Sequence, residues 1–221
     1  MSARNSRLTL KVHNEEVLLK APFRISGYVF DRAPITIVTL RDGQAEGRGE
    51  ASGVYYLDDT PERMLATIES QREAIESGLT RDALRSLLPA GGARNAIDCA
   101  LWELESYLAG KPVWQLAGIE EPRPLRTTFT VSADEPHVMA ERAKAYTQAR
   151  AIKLKLTGEA EIDIERVRAV RAARPDVWLG VDANQGYVPP TLERLLPALV
   201  ATNVALLEQP FDGGRDSELG G

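Results

Sequence analysis

AIKLKLTG, residues 151–158, is an apolar stretch with strand alternation that nevertheless carries two lysines. Successive side chains of a strand point to opposite faces, so Ile152, Leu154 and Leu156 share one face while Lys153 and Lys155 share the other. Burying one unpaired ammonium is costly, and two neighbouring ones repel. The pair therefore marks either an amphipathic edge strand with solvated lysines or a wet face on which something supplies the opposite charge.

Similar strand-like runs flank it. LRTTFTV (125–131), AIKLKL (151–156), DVWLGVDA (176–183) and VALLEQP (204–210) alternate with helix candidates PHVMAERAKAYTQA (136–149), EIDIERVRAVRAAR (161–174) and TLERLLPALVA (191–201), the last weakened by Pro197. This is a βα series. Thr130, Lys155, Asp182 and Glu208 recur at intervals of 25, 27 and 26 residues, one per unit. Each lies near the end of its strand, and Gly158, Gly186 and Pro210 soon follow the last three. Polar groups at the C-terminal ends of parallel strands are where α/β folds, barrels above all, place their chemistry.

Asp182 and Asn184 in GVDANQGY repeat the one-apart spacing of the lysines, and Glu208 ends an apolar run. Two buried carboxylates on neighbouring strands repel unless a cation lies between them, and oxygen donors of this kind suit Mg²⁺. A divalent cation and a second ammonium beside a lysine favour its neutral, proton-accepting form, so base and electrophile belong together here. Carboxylates at strand ends also form structural ion pairs, and that reading stands beside the catalytic one.

The preceding part of the chain has a different grammar. RLTLKVH (7–13) and EEVLLK (15–20) read as a hairpin-like pair around Asn14, and APITIVTL (33–40) as a third strand ending at the turn RDGQ. Helices follow: one over 61–78 with Thr60 as cap and Pro61 at its first position, one from Thr80, one over about 93–108 stopping at Gly110, and a short one in KPVWQLAG. Strands first and helices second predict a small α+β domain over 1–124, ahead of an α/β segment over 125–221.

Bulk properties bound the partners. The 221 residues are 43% hydrophobic and 27% charged, with a formal net charge of −5, which gives no reason to expect nucleic acid or an anionic membrane. The N-terminus has no apolar signal-like region and no run is long enough to span a bilayer, so a cytoplasmic protein is expected. The single cysteine, Cys99, is expected to pack on a helical apolar face. His13 and His137 have no neighbours at ligand spacing.

KLK at 153–155, DAN at 182–184 and EQP at 208–210, behind an α+β domain, resemble the enolase superfamily, muconate-lactonizing subgroup. GGARNAIDCALWEL (91–104) and TTFTVSADEP (127–136), with KLKLTG, look most like its dipeptide epimerases of the L-Ala-D/L-Glu type. The resemblance implies an α+β capping domain followed by the first half of an α/β, TIM-type barrel. It implies Mg²⁺-dependent epimerisation of a dipeptide through an enediolate. In it Lys155 is the acid/base on one face of the substrate, and Lys153 contacts the substrate carboxylate and tunes Lys155. Asp182 and Glu208 are metal ligands, Asn184 stands behind them, and Thr130 touches substrate. PFRISGYVFDR (22–32) would be the specificity loop, with Arg24 or Arg32 for an acidic side chain or Tyr28 and Phe30 for an apolar one.

Family members have an eight-unit barrel, with a third metal carboxylate on the fifth strand and an opposing lysine on the sixth. Here the sequence stops after the fourth strand, so the expectation is a truncated barrel that is inactive alone or needs a second copy or fragment; a homo-oligomer is allowed. The alternatives are an N-acylamino acid racemase, o-succinylbenzoate synthase or muconate cycloisomerase of the same superfamily, an aldolase using Lys155 as a Schiff base, and a non-catalytic fragment. The partner in the enzymatic readings is a small molecule, a dipeptide or N-acyl amino acid.

Overall fold

The computed structural model describes residues 7–219. The chain forms two compact units: residues 7–18 with Arg32–Arg123, and Leu19–Asp31 with 124–219.

The first three strands, β1 (Thr9–Ile25), β2 (Tyr28–Asp42) and β3 (Ala45–Ala51), form a sheet in the order β1-β2-β3. β1 runs straight through Asn14, where the sequence suggests a turn. The Asn14 side-chain oxygen accepts a hydrogen bond from the Thr36 hydroxyl at 2.9 Å, which ties it to β2 within an extended strand. The chain turns at Ser26–Gly27 instead, where Gly27 has φ +72°. Residues 22–32, expected as a loop, are thus the end of a β-hairpin, and this tip groups with the second unit.

β3 was not expected. Its inward positions are Ala45, Gly47, Gly49 and Ala51, which carry no strand signal, yet they are all buried. The reason is helix α4 (Gly92–Ala109), whose small residues Ala96 and Ala100 let its backbone lie on β3. A Cβ at Gly49 would collide with the Ala96 carbonyl oxygen, and one at Gly47 with that of Ala100. Gly49→Ala must push helix backbone away, so it is expected to destabilise the chain by about 3 kcal/mol, the upper range for an overpacked core. Chemical denaturation reads this directly, and a variant as stable as wild type would contradict the packing.

Helices α1 (Pro61–Ser70), α2 (Arg72–Glu76), α3 (Arg81–Leu87) and α5 (Val113–Leu116) complete the unit. The Thr60 and Thr80 hydroxyls accept from the amides of Arg63 and Ala83, as N-caps do. Ile68, Ile75, Ile97 and Leu101 fill the core beneath Val38 and Leu40. Cys99 is exposed, not packed, because the buried face of α4 runs through Ala96, Ile97, Ala100, Leu101 and Leu104.

In the second unit, strands β4 (Phe129–Val131), β5 (Ala151–Lys155), β6 (Trp178–Asp182) and β7 (Leu206–Glu208) form a parallel sheet in chain order, half of a barrel. Helices α6 (Pro136–Ala145), α7 (Ala160–Ala173) and α8 (Pro189–Ala201) provide the crossovers. Helix α8 continues through Pro197 at the loss of one backbone hydrogen bond. Ile152, Leu154, Leu179 and Val181 join Val167, Val170 and Leu195 in one core, which fixes the opposite sheet face for Lys153, Lys155 and Asp182. Among the described residues no helix is long and apolar enough to cross a membrane.

Candidate active site

Strand register builds the site. Lys155 is paired with Asp182, and Asp182 with Glu208, so the last residues of β5, β6 and β7 form one row across the sheet. Lys153 lies one step back on the same face, paired with Gly180 on one side and Thr130 on the other. Thr130 therefore stands in the row of Lys153, not that of Lys155.

The two lysines converge on one carboxylate. Lys155 Nζ donates to Asp182 Oδ2 at 2.6 Å and to Asn184 Oδ1 at 3.0 Å. Lys153 Nζ donates to the same Asp182 oxygen at 3.2 Å and to Glu208 Oε2 at 3.1 Å. The backbone amide of Asn184 closes on Asp182 Oδ1 at 3.0 Å. Asp182 is 2% exposed and Lys155 is buried, whereas the Glu208 side chain is half-exposed. The Phe23 ring lies 5.5 Å from Lys155 Nζ, within cation–π range. No spacing pattern in the sequence pointed to it.

The electrostatics favour the charged forms of Asp182 and Lys153. Burial opposes the Asp182 carboxylate, but the hydrogen bond and charge of Lys155, with help from the Asn184 amide and Lys153, outweigh it and hold the pKa below the usual carboxylate range. Burial likewise opposes the Lys153 ammonium, and its hydrogen bonds to Glu208 and Asp182 raise its pKa above the ordinary lysine value. Asn184, Gln185 and Gln209 adopt positive φ of 44°, 67° and 44°, strained conformations at the strand ends that carry the site.

The donor set fits a hard cation. Asp182 and Glu208 lie close enough for one ammonium to bond both, and with Asn184 they offer only oxygen. Among the described residues no cluster of three or more His, Cys, Asp or Glu could hold a metal. Two carboxylates suit Mg²⁺, which keeps waters or takes substrate oxygens at its other positions.

Arg24 pairs with a different carboxylate. Its guanidinium faces Asp134 at 3.6 Å, its amide donates to Ser132 Oγ, and its side chain is nearly half exposed. Thr130 is half-buried, and its carbonyl accepts from the Tyr146 hydroxyl at 3.4 Å.

A parallel βα sheet with paired lysines and carboxylates at its C-terminal rim defines the class: an α/β-barrel protein whose polar groups gather at the strand ends. Residues 7–118 match the mandelate racemase/muconate lactonizing enzyme N-terminal domain, and 138–219 match the enolase C-terminal domain-like family. The chain belongs to this family of the enolase superfamily.

Its relatives include L-Ala-D/L-Glu epimerase of Escherichia coli K12, 36% identical over 96% of this chain and 66% of that one. Among solved structures, an Agrobacterium tumefaciens enolase family member with homology to dipeptide epimerases, holding sodium and L-Ala-L-Glu, superposes with TM-score 0.90 at 33% identity, covering 96% of this chain and 64% of that one. The Enterococcus faecalis dipeptide epimerase with Mg and L-Leu-L-Tyr gives TM-score 0.83 at 29% identity, covering 96% and 63%. The chain spans about half to two thirds of the length of the curated relatives it matches.

Proposed function

We propose that this chain carries the acid/base and cation-holding part of a Mg²⁺-dependent dipeptide epimerase. The observation that supports it most is the shared hold of Lys155 and Lys153 on Asp182, with Glu208 and Asn184 in the same cluster. Asp182 and Glu208 would hold the cation, which when bound draws charge from the substrate carboxylate. Lys153 would orient that carboxylate through its ammonium. Lys155, as a neutral amine, would take the proton from the carbon beside it and become an ammonium; the C–H electron pair would form the double bond to the carboxylate carbon while the C=O π pair shifts onto oxygen, giving the enediolate. Return of a proton from the same lysine restores the original configuration, and inversion needs a donor on the opposite face. Thr130 would meet the substrate alongside Lys153. Arg24 would serve an acidic second residue, by leaving the long contact with Asp134.

The test is deuterium wash-in. With Mg²⁺ in D₂O, the chain should replace the α-proton of a matching dipeptide by deuterium, followed by the loss of the α-proton NMR signal. A panel with acidic or apolar second residues, plus N-acyl amino acids, locates the substrate class: preference for N-acyl amino acids would move the reading to a racemase. A chain that binds Mg²⁺ but exchanges no substrate in the panel would refute the acid/base role.

A further inference from the structure

Helix α7 places a charge on its buried face. Ala160, Asp163, Val167 and Val170 share that face, and Asp163 is 0% exposed. Its carboxylate accepts from the amides of Thr157 at 3.1 Å and Gly158 at 3.0 Å, from Arg166 Nη1 at 2.8 Å and from the Tyr187 hydroxyl at 2.6 Å. Arg166 also donates to Thr157 Oγ1 and to the Asp134 carbonyl, both at 2.7 Å. Tyr187 in turn donates its amide to the Pro210 carbonyl at 3.0 Å. The buried carboxylate thus bonds the segments that follow β5 and β6, and its partners Arg166 and Tyr187 reach those that follow β4 and β7.

Those segments adjoin the proposed site. Thr157 and Gly158 come directly after Lys155 and Leu156, and the Leu156 amide bonds the Asp182 carbonyl at 3.0 Å. Tyr187 closes the turn that begins with Asn184 and Gln185, the two residues at positive φ. Gly158 packs so closely on Gly186 that a Cβ would strike its carbonyl. Burial, and then the charge of Asp163, keep the Tyr187 hydroxyl protonated, so it remains a donor to the carboxylate.

We infer that Asp163 is a positioning residue for the proposed site: through Thr157–Gly158 it sets the end of the lysine strand, and through Tyr187 it holds Asn184 and Asp182 in place to receive the cation. This inference rests on the metal-holding reading given above. Loss of such an outer partner weakens metal binding about tenfold to a hundredfold.

Backbone amide NMR of the full chain, titrated with Mg²⁺ alone, tests it. Asp163→Asn should move the signals of Thr157, Gly158, Asn184 and Gln185 and raise the Mg²⁺ dissociation constant about tenfold. Tyr187→Phe, which removes only one hydroxyl, should move Asn184 and Gln185, leave Thr157 and Gly158 in place, and weaken Mg²⁺ severalfold. Val170→Ala, a core truncation on the same helix, should lower the melting temperature without changing either loop or the affinity. Unmoved Asn184 and Gln185 signals in Asp163→Asn would overturn the inference, as would moved signals with wild-type affinity, which mark a purely structural carboxylate. If the wild-type chain shows no response to Mg²⁺, the metal-holding reading fails, and the positioning role stands or falls on the loop signals.

Discussion

Lys155→Met is expected to lower α-proton exchange by a factor of about 10²–10⁴, the range a positioned general base contributes. The structure lets this loss be separated from damage to the fold. Lys155 has two roles: it is the proposed base, and it is the shortest partner of a nearly fully buried carboxylate. Methionine removes both. Lys155→Arg removes only one, since a guanidinium keeps the charge beside Asp182 but does not deprotonate in proteins. The arginine variant should therefore stay close to wild type in thermal stability while losing exchange as completely as the methionine variant. Lys153→Met should weaken substrate binding more than the exchange rate at saturation, because its proposed contribution is to orient a carboxylate. If Lys155→Arg exchanged protons at the wild-type rate, the pair would be a structural ion pair at a strand end, the plain alternative for such residues.

How much of this was legible beforehand differs residue by residue. The one-apart spacing of Lys153 and Lys155 among Ile152, Leu154 and Leu156 already separated the two faces of β5, because side-chain alternation is a local property of an extended chain. The βα spacing placed Asp182 and Glu208 at strand ends for the same reason. Register is not local. It depends on how neighbouring strands slide, and it put Thr130 beside Lys153. β3 carries no local strand signal because its inward glycines are dictated by the closeness of α4, a contact about fifty residues away in sequence. Asp163 did leave a signal: a charged residue at the helical spacing of Ala160, Val167 and Val170 sits on the face that should be apolar. Its partners Thr157 and Tyr187 come from separate loops, and no periodicity connects them.

Asp182→Asn is expected to destabilise the metal-free chain by about 3–5 kcal/mol at neutral pH, the cost of removing one partner from a buried ion pair. The carboxylate is the common acceptor of two ammonium groups, and they fare differently without it. Lys153 keeps Glu208 and is partly open to water, whereas Lys155 is buried and keeps no anionic partner, only neutral amide oxygen and the Phe23 ring. Most of the loss therefore falls on Lys155. The pH dependence identifies the cause. Because Asp182 titrates lower in the folded chain than the usual unfolded value near 4, its stabilisation is fully present above about pH 4 and is lost as pH falls through the folded pKa. The stability gap between wild type and Asp182→Asn should be constant near neutrality and close progressively below about pH 4, as protonation makes the wild-type side chain as neutral as the amide. Mg²⁺ should widen the gap at neutral pH, since a ligand that binds the folded wild type raises its stability in proportion to the logarithm of its concentration. Urea denaturation across pH 3–8, with and without Mg²⁺, measures both effects. A gap that persists unchanged at pH 3 would assign the loss to the shape of the amide and not to the missing charge.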